Sequence, residues 1–334
     1  MEGLPLTPSA RGEAVRDLQR RLAGVGFAVR SKEIGIYGDS TVGCVRGFQQ
    51  QRGLDPTGTC ERETWSALVE AGYQLGDRQL YLRSPMLRGD DVADLQRRLG
   101  ALGFDAGRVD GIFGGDTVRA LEDFQRNMGL AGDGICGSAA IGAMVRLGSR
   151  TEQPTGVAGV REREHLRCAP RVLAGRRVVV GEAGGQAVIA GAVARLLREQ
   201  GAVVALLQHH DGSAQAREAN RFEAEMYLGI ALDDTAGCDA AYFATEGFES
   251  SGGHRLADLI VREVGPTLPD GRRSVRGMWL PILRETQMPA VLCSLGPPPH
   301  VVEYGPKISF AFAAACETWA QSPLDNEPDD QVEH

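Results

Sequence analysis

The sequence predicts a multidomain chain: two all-α modules of three helices each, then an α/β domain whose mostly parallel sheet is flanked by helices. Three observations predict it. A segment near the start returns once further along, apolar residues recur at helical spacing within both copies, and beyond residue 176 short apolar runs alternate with helical stretches.

The run Arg11-Gly12-Glu13-Ala14-Val15-Arg16-Asp17-Leu18-Gln19-Arg20-Arg21-Leu22 returns as Arg88-Gly89-Asp90-Asp91-Val92-Ala93-Asp94-Leu95-Gln96-Arg97-Arg98-Leu99, at an offset of 77. Gly35-Ile36-Tyr37-Gly38 returns as Gly111-Ile112-Phe113-Gly114, and Phe48-Gln49 as Phe124-Gln125, at an offset of 76. One residue is therefore lost between Phe27 and Gly35, where a loop absorbs it. Val15, Leu18 and Leu22 mark one face of a first helix, Val42, Val45 and Phe48 a second, and Trp65 and Leu68 a short third. Glycines 35, 38, 111 and 114 are expected at positive φ in turns. Cys60 and Cys136 correspond, as small apolar core residues would. The modules are placed at 6–70 and 83–147. A linker at 148–175 follows, in which Arg161-Glu162-Arg163-Glu164 is expected to form a solvated helical turn.

The α/β domain is placed at 176–320 and an acidic tail at 321–334. Arg177-Val178-Val179-Val180 is short and β-branched, as a buried strand would be, and runs into Gly181-Glu182-Ala183-Gly184-Gly185. A helix follows through Ile189, Val193, Leu196 and Leu197, with Gly201 at its end, and 202–207 is the next strand. This order invites a dinucleotide reading, but the G-x-G-x-x-G spacing fails at Ala183 and Gln186. His209 and His210 are expected on opposite faces of a strand, His254 and His300 in loops, and Gly296-Pro297-Pro298-Pro299-His300 as a rigid loop.

Of the 334 residues, 43% are hydrophobic and 24% charged, with a net charge of −8, which excludes broad recruitment of nucleic acid or anionic membrane. No stretch approaches the roughly 20 apolar residues of a membrane span. Residues 1–13 lack a basic start and an apolar core, and the seven cysteines form no CxxC pair. The chain is accordingly expected in the cytoplasm.

With their shared G-x-[YF]-G-x-x-T-V, F-Q and G-L signatures, both modules resemble the small helical peptidoglycan-binding module found beside cell-wall hydrolases. That resemblance implies a groove for a stem peptide or glycan piece, with Tyr37, Thr41, Asp110, Phe113 and Thr117 as contacts, against the alternative that these residues hold the fold. The second half resembles the zinc-dependent N-acetylmuramoyl-L-alanine amidases. It does so through Gly184-Gly185, Ala219-Asn220 with Ala224-Glu225, Gly229-Ile230-Ala231-Leu232-Asp233, Arg255 to Ile260, and Leu283 to Leu292 followed by Cys293-Ser294-Leu295-Gly296.

Aligned on those motifs, the family's two zinc histidines become Ala183 and Ala231, and its general base becomes Ser294. Alanine offers zinc no lone pair, so the expectation is no metal, no cofactor and no enzyme. A relocated metal site built from His209, Asp211 and His254 is the hydrolase alternative. A non-enzymatic binder of peptidoglycan or its precursors is another. The runs Ala71-Gly72-Tyr73-Gln74-Leu75-Gly76 and Asp133-Gly134-Ile135-Cys136-Gly137 resemble an actinobacterial branch of the family. That branch implies a cytoplasmic regulator of peptidoglycan precursor synthesis, acting by contact on the UDP-N-acetylglucosamine enolpyruvyl transferase and associating with proteins at the lipid-precursor flippase.

Overall fold

In the computed structural model, residues 4–148, 157–245, 247–269 and 271–324 are described; positions 325–334 of the expected tail and 149–156 of the expected linker lie outside them. The chain divides into two compact units, residues 1–160 with 245–248, and residues 161–244 with 249–334.

In the first unit each module has its three helices: α1 (Glu13–Gly24), α2 (Asp39–Gln51) and α3 (Arg62–Ala71), then α4 (Asp90–Ala101), α5 (Gly115–Asn127) and α6 (Ser138–Gly148). Their apolar stripes close two small cores. Val15, Leu18, Leu22, Val45, Phe48 and Leu68 are buried in the first, and Val92, Leu95, Leu99, Leu121, Phe124 and Met144 in the second. Phe27 meets Phe48 edge-on at 6.1 Å, and Phe104 meets Phe124 at 5.6 Å.

Cores this small leave irregular chain between the helices, and buried glutamines serve it. Gln19 Nε2 donates to Glu33 O and Ile36 O, both at 3.0 Å, while its Oε1 accepts from Gly35 N at 2.8 Å. Gln96 repeats this, donating to Ile112 O at 3.1 Å and accepting from Gly111 N at 2.8 Å. A second pair does the same later in each module: Gln49 accepts from Gly58 N, and Gln125 from Gly134 N, both at 2.9 Å. One planar amide thus satisfies a donor and acceptors that the turn cannot pair by itself. Gly35 and Gly111 stand at φ 78° and 67°, as expected. Gly38 and Gly114 do not; they are extended at −93° and −98° and precede α2 and α5. The Glu33 carboxylate lies beside Gly38 and accepts from Ser40 N at 3.0 Å and Ser40 Oγ at 2.7 Å, at the start of α2.

The second unit opens at Arg161, within α7 (Val157–Cys168), inside the segment expected to be a linker. It is not merely solvated. Leu166 enters the α/β core, and Glu162 Oε1 accepts from Ser250 Oγ at 2.6 Å and from Gly252 N at 3.3 Å. The order then runs β1 (Arg177–Glu182), α8 (Ala187–Glu199), β2 (Val203–Gln208), α9 (Gly212–Arg221), β3 (Met226–Leu232), β4 (Gly237–Thr245) and β5 (Phe248–Glu249). After these come α10 (Ser251–Val264), β6 (Arg272–Met278), α11 (Pro281–Glu285), β7 (Ala290–Gly296), α12 (Pro298–Glu303) and α13 (Gly305–Gln321).

The sheet is ordered β2-β1-β3-β7-β4-β5, with β6 also on β4. β1 pairs parallel with β2 and β3, β3 with β7 and β4 with β6, whereas β4 and β7 pair antiparallel. Val178 and Val180 of β1 enter a core shared with Val193 of α8, Leu256 of α10 and Phe312 and Trp319 of α13. Val179 and Gly181 face the other way, toward α9, so β1 is buried on both faces, as parallel sheets require. Two sequence expectations change. His254 lies on α10, and the segment from Pro298 through His300 is helical, because prolines fit a first helical turn whose N–H groups need no partner. Among the described residues no helix is long and apolar enough to cross a membrane.

Gln96→Leu should lower unfolding free energy by roughly 2–3 kcal/mol, because it orphans Gly111 N and Ile112 O. Removing the exposed Arg126–Asp123 pair should leave it essentially unchanged, both read by urea denaturation. Burial pushes the Cys60 and Cys136 thiols up to about 12. Their contribution to stability should be intact below the ordinary thiol pKa of about 8.5 and should fall as pH rises toward 12. Under native conditions iodoacetamide should label exposed Cys168 well before the buried Cys60, Cys136, Cys238, Cys293 and Cys316.

Candidate functional site

The three positions singled out by sequence come together at the carboxyl ends of neighbouring strands. Ala231 on β3 is in register with Ser294 on β7. Ala183 follows Glu182, which ends β1 and pairs with Ile230, one step before Ala231. This is the end of a parallel sheet where loops carry ligands in open α/β folds.

The loop after β1 is organised by a residue the sequence reading passed over. Glu182 is buried, and its Oε2 accepts from Gly184 N at 2.8 Å and Gln186 N at 3.1 Å. A carboxylate there also meets the positive end of α8. The signal was present in the sequence: a lone charge closing an apolar strand ahead of two glycines. Beneath it, Gln215 on α9 donates to Glu182 O at 3.1 Å and His209 O at 2.6 Å, and accepts from the Tyr227 hydroxyl at 2.7 Å. Burial pushes the Tyr227 phenol well above its ordinary range. Gly181 has to be glycine, since a Cβ would come within 2.1 Å of the Tyr227 hydroxyl oxygen.

Across the strand ends the surface becomes polar. Asp239 on β4 faces Ser294, pairs with Arg272 and accepts from the Ser274 hydroxyl. Asp233 accepts from Thr235 N at 2.8 Å and its hydroxyl at 2.7 Å. Those bonds, with Arg272 and Arg276 beyond them, hold its carboxyl below the usual range. Asn220, from a motif quoted on sequence, donates to Glu285 O at 2.8 Å and accepts from Gln287 N at 2.9 Å, so it fixes the loop that feeds β7.

His209 and His210 lie in the loop after β2 rather than on a strand. His209 Nδ1 accepts from Asp211 N at 2.9 Å, and the Asp211 side chain caps α9. His254 instead stacks on Tyr242 of β4 at 4.7 Å, with Nδ1 3.1 Å from Glu249. Four strand spacings, about 19 Å, separate β2 from β4, so His209, Asp211 and His254 do not form a relocated site. A zinc ion also does not fit Ala183, Ala231 and Ser294, which together offer one neutral hydroxyl. Among the described residues no three His, Cys, Asp or Glu side chains are grouped to hold a metal.

The expected module contacts are corrected as well. Tyr37, Thr41, Phe113 and Thr117 are buried. The Tyr37 hydroxyl donates to Gly58 O at 2.8 Å; Thr41 and Thr117 hydroxyls accept from Gln19 at 2.9 Å and Gln96 at 3.1 Å. Asp110 accepts from Gln96 Nε2 at 2.8 Å and Ile112 N at 2.9 Å. They hold the turns together.

Comparison with known proteins places both halves. Residues 11–68 and 88–144 match the family model described as "Putative peptidoglycan binding domain". N-acetylmuramoyl-L-alanine amidase CwlM of Mycobacterium tuberculosis is 31% identical over 335 residues, covering 88% of this chain and 82% of that protein. N-acetylmuramoyl-L-alanine amidase CwlL of Bacillus licheniformis is 32% identical over 157 residues, 41% of this chain and 44% of that protein. The amidase Ami1 from Mycobacterium smegmatis superposes with a TM-score of 0.38 at 13% identity, over 45% of this chain and 99% of its own. AmiC2 of Nostoc punctiforme gives 0.36 at 19%, over 44% and 99%.

These relatives overturn the expectation that the chain is not an enzyme, since the protein matched along most of its length is named an amidase. That expectation was drawn from three positions, and three side chains speak only for a zinc held by them. For the loop itself, Glu182→Ala should cost about 1–3 kcal/mol in urea unfolding, because two N–H groups lose their acceptor. Glu182→Gln, which keeps an acceptor, should cost visibly less.

Proposed function

The chain belongs to the N-acetylmuramoyl-L-alanine amidase family, and on that premise we propose that it recognises peptidoglycan fragments or precursors and regulates precursor synthesis by protein contact in the cytoplasm. The enolpyruvyl transferase acting on UDP-N-acetylglucosamine is the proposed partner, with flippase-associated proteins as further ones. One observation carries this reading. Two modules matching the peptidoglycan-binding family stand in one chain with an amidase-family half, and at its strand ends the Glu182 and Asp239 side chains are bonded to Gly184, Gln186 and Ser274 of the chain itself. Seven free thiols support a reducing compartment.

The names of the relatives favour a second reading, cleavage of the amide between N-acetylmuramic acid and L-alanine. One pair of assays separates the two. Purified full-length protein added to the transferase should raise its rate several-fold; an unchanged rate together with no co-sedimentation sinks the regulatory reading. Release of new L-alanine amino termini from muropeptide in the presence of zinc would establish the second.

A further inference from the structure

The two modules share a scaffold but differ at one surface. Beside the start of α3, Leu4, Pro5, Glu61, Arg62, Glu63, Trp65 and Ser66 line an open pocket of about 660 Å³, within the size range of small-ligand sites. Glu61, Arg62 and Glu63 are exposed, and Trp65 is held in place with the Arg21 guanidinium 5.3 Å from its ring. Arg21 is itself anchored on Asp17 at 3.1 Å.

At the offset of 76 the second module has Gly137, Ser138, Ala139, Ile141 and Gly142 at the positions of Glu61, Arg62, Glu63, Trp65 and Ser66. Every charge and the aromatic ring are gone. The scaffold around them is kept: Arg98 still pairs with Asp94 at 3.0 Å, Cys136 still bridges to Leu80 as Cys60 does to Leu6, and α6 repeats α3. Side chains that hold the fold recur in both copies. Those lining the pocket occur in one.

We propose that ligand recognition is divided unequally between the repeats, and that the first module alone binds, at this pocket, a short peptide carrying both an ammonium and a carboxylate. Arg62 offers the carboxylate a two-pronged donor, Glu61 and Glu63 flank it as acceptors for the ammonium, and Leu4, Pro5 and Trp65 supply an apolar wall for the stem between the two charges. Two acids against one base favour a ligand with an amino group over a purely acidic one. This rests on the proposed recognition of peptidoglycan pieces and names the part of such a piece that is gripped: a diamino-acid peptide rather than the sugar.

The test is calorimetric titration of the full chain with L-alanyl-D-glutamyl-diaminopimelate and, separately, with the disaccharide of N-acetylglucosamine and N-acetylmuramic acid. One tripeptide per chain is expected. Arg62→Ala and Glu63→Gln, both at exposed positions, should each weaken binding by roughly tenfold. Ser138→Glu, in the second module, should leave it unchanged. Two sites per chain, disaccharide binding in preference to the peptide, unchanged affinity in both pocket variants, or no tripeptide binding would each overturn the proposal. The transferase assay reads the regulatory proposal independently, so either can fail without the other.

Discussion

A buried primary amide does the same task at five places where the described chain leaves regular structure. Gln19, Gln49, Gln96 and Gln125 each span a turn in the modules, and Gln215 ties the end of β1 to the loop after β2. A glutamine side chain presents two donors and an acceptor in one plane, which matches the unpaired groups of a tight turn. It carries no charge, so burying it costs far less than burying a carboxylate or an ammonium would. Modules of this size cannot bury enough apolar surface to hold their loops by packing alone. The turns keep their shape because the amide leaves few polar groups unmet.

The scaffold was legible in the sequence for two physical reasons. Helical spacing of Val15, Leu18 and Leu22, and its return in Val92, Leu95 and Leu99, reports burial directly. Short β-branched runs ending in glycines report strands covered on both faces. What sequence missed was of a different kind. Tyr37 and Thr41 looked like surface contacts because polar groups in a motif suggest a ligand, yet their hydroxyls are spent on Gly58 and Gln19 inside the fold. Gly38 and Gly114 looked like positive-φ residues, yet both are extended because each leads directly into a helix.

At the sheet end, the motifs pointed to Ala183, Ala231 and Ser294, which the fold brings to the ends of β1, β3 and β7, but the sequence could not show what surrounds them. Glu182 was read as part of a turn; its carboxylate is what shapes that turn. Asp239 drew no attention because its partners Arg272 and Ser274 stand on another strand, more than thirty positions away. Contacts between distant strands leave no local periodicity to read. The same limit explains the reach toward His209, Asp211 and His254, which look like a ligand set in a line of text and are parted by the width of the sheet.

The helix over Val157–Cys168 has an implication for how such chains are assembled by gene fusion. It is neither repeat nor sheet, and it lies outside the segments matched to the peptidoglycan-binding family model. Yet Leu166 fills the core, and Gly252 is kept bare because a Cβ there would press within 2.6 Å of the Leu166 side chain. An ancestral splice placed after residue 168 would have left that cavity open and Ser250 without Glu162. The packed block of the second half therefore begins upstream of its first strand, and a fusion that preserves it has to join the chain ahead of Glu162.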